Sequence, residues 1–310
     1  MTGPRRRAVL SAALAAAVSL AACGSGTDGR AGEVSLVATT TQLGDIARAV
    51  AGDRARIRQI LEPNSDPHAY EPRPSDVRAV GAAKVVVRSG GDLDDWLGDV
   101  LANAGSSART LTVLDGLRAR RGEGGSDPHW WQDPRNGATA TERIRDALIA
   151  ADPGGRPTYA AAARRYLRRL DALDRAIAAC MARIPARERK LVTDHDALGY
   201  YAGRYDIDVV GTVIPALSSQ AQASGGEVAR LVDAIREAEV STIFPESSVN
   251  PKLTRAIARD AGAKIGPALY ADSLGAPGSA GATYLGSLRA NSIALARGFS
   301  DGRARCPLPR

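Results

Sequence analysis

The chain contains three histidines, and all three sit close to aspartates. Two share one frame, Ser65-Asp66-Pro67-His68 and Ser126-Asp127-Pro128-His129, with the rings 61 residues apart. The third, His195, lies between Asp194 and Asp196 in LVTDHDALGYY. A histidine that only fills a core needs no such setting, whereas one whose ring must be aimed does. A metal-bound imidazole gives its second N–H to a carboxylate or carbonyl, and Asp66, Glu71, Asp127, Asp133, Asp194 and Asp196 are at hand for this. Pro67, Pro72, Pro128 and Pro134 narrow the backbone choices around the rings, so these loops lose less entropy on closing over an ion. Asp272 in ALYADSLG is a fourth candidate. Three imidazoles and one carboxylate complete a tetrahedral set for a first-row metal.

These four residues come from segments that alternate between strand and helix patterns. VSLVATT, RIRQILE, KVVVRSG and RTLTVLD read as strands, interleaved with the helical runs QLGDIARAVAG, PSDVRAVGAA and LDDWLGDVLANAG. After a long helical stripe (Tyr166, Leu170, Leu173, Ile177, Met181, Ile184) the alternation restarts with RKLVTD, DIDVVGTVIP, STIFPE and KIGPALY as strands. Repeated βα units imply parallel sheets. The expected fold class is therefore α/β, with two parallel-sheet lobes joined by a long rigid helix. The expected divisions are 34–155 for the N-terminal lobe, 156–185 for the linking helix and 186–310 for the C-terminal lobe. Ligands of open parallel sheets bind beyond the carboxyl ends of the strands. His68, His129, His195 and Asp272 all follow strand patterns, two in each lobe, so an interlobe cleft would bring them together.

The first residues read as an export signal. Arg5, Arg6 and Arg7 precede an apolar run from Ala8 to Ala22, shorter than the ~20 residues that span a bilayer. The run ends in LAAC, which resembles a lipoprotein signal, with residues 1–22 removed and Cys23 lipidated. The arginine triplet also resembles a twin-arginine signal, so the export route stays open. Residues 23–33 then form a flexible tether. Its G-x-G-x-x-G spacing, Gly24 to Gly29, follows no strand and is not a dinucleotide loop. The formal charge is +7, with the arginines dispersed, which reads as a solvated basic face and not as a nucleic-acid surface. Beyond Cys23, Cys180 and Cys306 either pair as a disulfide in an oxidising compartment or remain one buried and one free thiol.

The stretches VATTTQLGDIARAVAGD, SDPHAYEPRPSD, DPHWWQDP, VTDHDALGYYAGRY and YADSLG, in this order, resemble the solute receptors of bacterial zinc/manganese ABC importers. The likeness runs from Val34 to Phe299. It implies a two-lobed fold with a rigid connecting helix, no enzymatic activity, a membrane permease as partner, and His68, His129, His195 and Asp272 as metal ligands. Glu246 in FPESSVNP is placed near the site as a supporting group, alongside Glu71. By the same resemblance the protein would be a monomer anchored through Cys23 on the extracytoplasmic face of the membrane. Many zinc-type members carry a long histidine-rich loop before the second histidine motif, whereas GLRARRGEGGS here is short and free of histidine. Manganese-type members carry a glutamate where this chain has His195. Three nitrogens and one oxygen suit Zn²⁺ better than Mn²⁺, which favours oxygen-rich octahedra. The expected cargo is Zn²⁺, with Mn²⁺ or Fe²⁺ as the alternative.

Two other classes use the same residues. In a secreted zinc hydrolase three histidines would hold zinc, with water in the fourth place. In a structural metalloprotein the ion would serve folding alone. The sequence has no G-x-S-x-G elbow, P-loop or C-x-x-C.

Overall fold

A computed structural model describes Met1, Gly3, 34–122 and 125–309. The chain divides into two compact units, Met1–Gly32 and Glu33–Arg310. In the first, only Met1 and Gly3 are described, so the rest of the expected signal segment, Cys23 and the whole expected tether lie outside the described residues.

The second unit begins with β1 (Val34–Ala38), α1 (Thr41–Ala51), β2 (Ala55–Gln59), α2 (Pro74–Gly81), β3 (Val85–Arg88), α3 (Leu97–Asn103) and β4 (Arg109–Thr112). The four strands form one parallel sheet in the order β2-β1-β3-β4. Both faces of the central strands β1 and β3 are covered, which is why these two read as apolar runs. Leu36, Ala38, Val85 and Val87 face a core with Leu43, Ile46 and Val50 of α1. Val37 and Val86 face the other way, toward Val80 and Leu97.

A small antiparallel hairpin, β5 (Arg121–Gly122) and β6 (Gly125–Ser126), leads into the second Asp-Pro-His turn. There follows α4 (Pro134–Ala151), an 18-residue helix to which the sequence reading assigned nothing. Its buried face is built from small residues, Gly137, Ala140, Thr141 and Ala147, as much as from Ile144 and Leu148, so its apolar stripe, though regular, carries few large side chains. Its start signal is plain in retrospect: Asp133 accepts from Arg135 N at 2.9 Å, and Pro134 opens the first turn.

The spine is α5 (Arg156–Met181), 26 residues and about 39 Å long at 1.5 Å per residue. It buries Tyr159, Tyr166, Leu170, Leu173, Ile177 and Met181 along one face. Asp174, also buried on that face, accepts from Arg204 at 3.0 and 2.6 Å and from Tyr205 Oη at 2.8 Å. These bonds fasten the spine to the segment that carries Arg204 and Tyr205. At its far end Cys180 is joined to Cys306 in a disulfide, Cα atoms 5.5 Å apart.

The second lobe holds β7 (Lys190–His195), α6 (Gly199–Tyr205), β8 (Asp208–Ile214), α7 (Gly225–Glu237), β9 (Thr242–Ile243), α8 (Lys252–Ala261), β10 (Lys264–Ile265) and α9 (Tyr284–Phe299). β7 pairs in parallel with β8, and β9 with β10. Phe244 N donates to Val192 O at 3.0 Å, placing β9 beside β7. The spatial order β8-β7-β9-β10 thus repeats that of the first lobe. The last two strands are much shorter than the sequence pattern suggested. Gly266 N still donates to Ile243 O at 2.8 Å, but Pro267 has no N–H to give the ladder, and beyond it the segment toward Asp272 keeps an isolated bridge between Glu246 and Leu269.

Candidate metal centre

Each site residue is positioned differently. His68 sits in a short 3-10 turn, Pro67–Ala69, whose start is capped by Asp66: His68 N donates to Asp66 Oδ1 at 2.9 Å. His129 repeats the device. Its backbone N–H donates to Asp127 Oδ1 at 2.9 Å, and its ring Nδ1 lies 2.8 Å from the same oxygen. His195 is the last residue of β7. Its N–H donates to Glu246 Oε1 at 3.0 Å, and its Nδ1 lies 2.8 Å from Glu246 Oε2, an ion-pair distance although the alignment falls short of a hydrogen bond. Glu246 is held in turn by Asp194, which accepts from Glu246 N at 2.7 Å and from the Thr254 hydroxyl.

Asp272 is held through its backbone. Its carbonyl accepts from Gln42 Nε2 at 2.9 Å. The neighbouring Ala271 carbonyl accepts from Trp131 Nε1 and Gln132 Nε2, both at 2.7 Å. Leu274 N donates to Thr41 Oγ1 at 2.9 Å. Asn291 of α9 exchanges two 2.9 Å bonds with the backbone of Tyr270. A residue of the second lobe is thus aimed largely by the first.

The result is convergence. One ligand atom from each of His68, His129, His195 and Asp272 lies within 4.8 Å of all the others. The Nε2 atoms of His68 and His195 stand 3.3 and 3.4 Å from that of His129. Asp272 Oδ1 is 3.4 Å from His129 Nε2, and its Oδ2 is 3.4 Å from His195 Nε2 and 3.8 Å from His68 Nε2. These separations exceed ordinary N–H···O bonds. Both Asp272 oxygens are buried with no hydrogen-bond partner among the described residues. A buried carboxylate left so is costly unless a cation meets it.

Electrostatics match. Burial is the largest influence on His68 and takes its pKa down to about 4, with Asp272 opposing and His129 and His195 adding to the fall. Burial also favours the neutral forms of His129 and His195. For His129 Asp127 and Asp272 outweigh it and raise the pKa; for His195 Asp272 and Glu246 raise it well above the ordinary range. Burial would raise Asp272, but His195 and His129 hold it well below the usual carboxylate range. Burial pushes Glu246 up. The cluster is a buried anion sharing positive charge with imidazoles, the electrostatic setting of a cation site.

A cavity of about 380 Å³ adjoins His68 and is walled by Tyr70, Trp96, Pro128 and Leu217. His68 keeps 7% side-chain exposure, whereas the His129, His195 and Asp272 side chains have none, so solvent reaches the cluster from the His68 side.

Of the supporting groups named from sequence, Glu246 lies against His195. Glu71 does not reach the cluster: it is exposed, and among the described residues the ring carboxylates are Asp127 and Glu246 instead. The turn after Tyr70 carries Glu71 outward as the chain heads into α2. Thr41, Gln42, Gln132 and Asn291 went unrecognised. Their bonds span up to 233 residues, and only their burial as polar side chains marks them.

The sequence profile of the family described as the periplasmic zinc-uptake complex component A matches residues 36–298. The chain is 31% identical over 290 residues to the manganese-binding lipoprotein MntA of Halalkalibacterium halodurans, covering 92% of this chain and 96% of that one. It is 30% identical over 270 residues to the iron-binding protein YfeA of Yersinia pestis, covering 86% of each. The solved structure of the periplasmic zinc binding protein TroA from Treponema pallidum superposes with a TM-score of 0.81 at 25% identity, over 88% of this chain and all of that one. The family consists of solute receptors and not enzymes, which removes the hydrolase reading. This chain belongs to the zinc-uptake complex component A family, the metal-binding receptors of ABC importers.

Proposed function

We propose that the chain captures Zn²⁺ outside the cytoplasm through His68, His129, His195 and Asp272 and delivers it to the permease of an ABC importer. One observation carries this reading: three imidazole nitrogens and one orphaned carboxylate surround a common point, with neighbouring ligand atoms mostly 3.3 to 3.4 Å apart. Zinc–nitrogen bonds of 2.0–2.1 Å in a tetrahedron place adjacent ligand atoms about 3.3 Å apart. Nδ1 of His129 and of His195 faces a carboxylate, which leaves Nε2 free to bind an ion. The capture site closes around its cargo with four protein ligands and supports no step of chemistry on it.

Mn²⁺ is the second reading, with Fe²⁺ beside it, because the relatives' names include manganese-binding and iron-binding proteins. Metal analysis of protein purified without added metal, followed by competition between Zn²⁺ and Mn²⁺ against a coloured chelator, separates them. Zn²⁺ should win. Equal or tighter Mn²⁺ binding at neutral pH would overturn the zinc assignment.

Anchoring through lipid on Cys23 completes the proposal, with the receptor acting as a monomer beside its permease. Among the described residues no helix is long and apolar enough to cross a membrane. Cys23→Ser should move the protein out of the membrane fraction while leaving metal binding intact.

A further inference from the structure

The short basic loop before the second histidine motif is not used by the site as described, yet one of its residues reaches both lobes. Arg120 Nη1 donates to Asp127 Oδ2 at 2.8 Å and to Asp196 Oδ2 at 3.3 Å. Its backbone N–H donates to Tyr200 Oη at 2.8 Å, and that hydroxyl donates to the Asp127 carbonyl at 3.2 Å. Asp127 is the carboxylate whose other oxygen holds the His129 ring. Asp196 follows His195 directly, and Tyr200 lies in α6.

We propose that Arg120 is a positioning residue that clasps the second lobe to the carboxylate behind His129 and so sets how fast the metal leaves. The inference rests on the metal-site reading above. Asp127 is divided between a ring it orients and a guanidinium that also grips the opposite lobe. Separation of the lobes must break one of the two carboxylate contacts. Asp196 is the partly exposed partner, at 26%, and the longer contact, whereas Asp127 has no exposure. Arg120 therefore stays with Asp127 and lets go of Asp196 and Tyr200. With the clasp closed, His129 is held from behind and the His195 strand is held against it. With it open, both can drift apart. Gly199 keeps the space that the clasp requires, because an added Cβ there would overlap the Arg120 guanidinium. That group is the end of a flexible side chain, so Gly199→Ala would displace the clasp without disturbing a core.

The test is stopped-flow release of Zn²⁺, and separately Mn²⁺, into excess chelator from full-length protein. Arg120→Gln, Asp196→Asn and Gly199→Ala should each speed release roughly tenfold, the lower end of what changes around metal ligands cost. Arg120→Lys should recover part of the loss, since an ammonium keeps the charge but not the fork. Arg54→Gln, which breaks the Arg54–Asp152 pair away from the cleft, should leave release unchanged while lowering thermal stability as much as Arg120→Gln does. The double change Arg120→Gln with Asp196→Asn should be no faster than either alone. Wild-type release rates for both Arg120→Gln and Gly199→Ala, or additive effects in the double change, would overturn the clasp while leaving the metal site standing. If the wild-type protein held no stoichiometric metal, or His129→Ala held it equally well, the metal-site reading would fall and the clasp with it.

Discussion

The two lobes share a strand order and each contributes two of the four converging residues, but they aim them by different means. In the first lobe the aiming is local. Asp66 and Asp127 each take a hydrogen bond from the backbone of the histidine two positions on, and Asp127 also takes the ring. In the second lobe it is remote. His195 depends on Glu246, 51 residues away, and Asp272 on Gln42, 230 residues away. Local frames survive small motions because their parts move together. Remote frames exist only while the fold around them is closed. The first lobe therefore carries its two histidines on locally fixed turns, whereas the second positions its two ligands through long-range bonds.

The largest expected effect concerns the bridge, which has no counterpart in the first lobe. Cys180 and Cys306 close a loop of 126 residues, for which the chain-entropy model gives about 4–5 kcal/mol. Reduction, or Cys180→Ser with Cys306→Ser, should lower the denaturation midpoint accordingly and loosen the second lobe first by hydrogen exchange. Equal midpoints with and without reductant would show that the bridge contributes nothing.

Next come the four converging residues. His129→Ala, His195→Ala and Asp272→Ala should each weaken Zn²⁺ binding by more than the ~10–100-fold typical of supporting groups. Any one of them with unchanged affinity in a chelator titration would leave the site. His68→Ala should be the mildest of the histidine changes, since its ring is the one that keeps some solvent exposure.

The comparison between lobes is sharpest in the supporting carboxylates. Glu246→Gln and Asp127→Asn each remove one charge from behind one ring. Both should cost about 10–100-fold in affinity. Glu246→Gln should cost more: both amides keep one acceptor oxygen, but the one at 127 sits two positions from the histidine it serves, whereas the one at 246 must be held in place 51 positions away by the packing of the second lobe. The opposite order, measured in the same titration, would break the local-versus-remote distinction.

The smallest effect belongs to Asp66. Its Oδ2 accepts from Ser219 Oγ at 2.7 Å and Gln220 Nε2 at 3.0 Å across the cleft mouth, and the bonds are partly exposed. Asp66→Ala should weaken binding only severalfold, below the ~10-fold floor for groups that orient a ring. A loss as large as that for Asp127→Asn would mean that His68 is as dependent on its frame as His129.

What the sequence determined by itself is what short-range physics writes into it. Alternating apolar runs and capped helices specify βα units. The Ser-Asp-Pro-His frame specifies an aimed ring, because aspartate two residues ahead caps the turn that carries it. The placement of His195 at a strand end follows from the same reading, and the long stripe from Tyr166 to Ile184 announces the spine. Where the pattern was thin the reading failed. Helix α4 carries few large apolar side chains, so its regular stripe of mostly small residues is inconspicuous, and the strand expected before Asp272 breaks at Pro267, which has no N–H to give. Glu71 looked as available as Asp127, since spacing alone does not say which way a side chain leaves its turn. The tertiary structure alone decided that Glu246 stands behind His195, that Gln42 and Asn291 hold the Asp272 segment, and that Arg120 reaches both lobes. Each of these contacts joins residues dozens to hundreds of positions apart. Such a contact forms only after the cores have packed, and its energy depends on burial that no local stretch of sequence encodes.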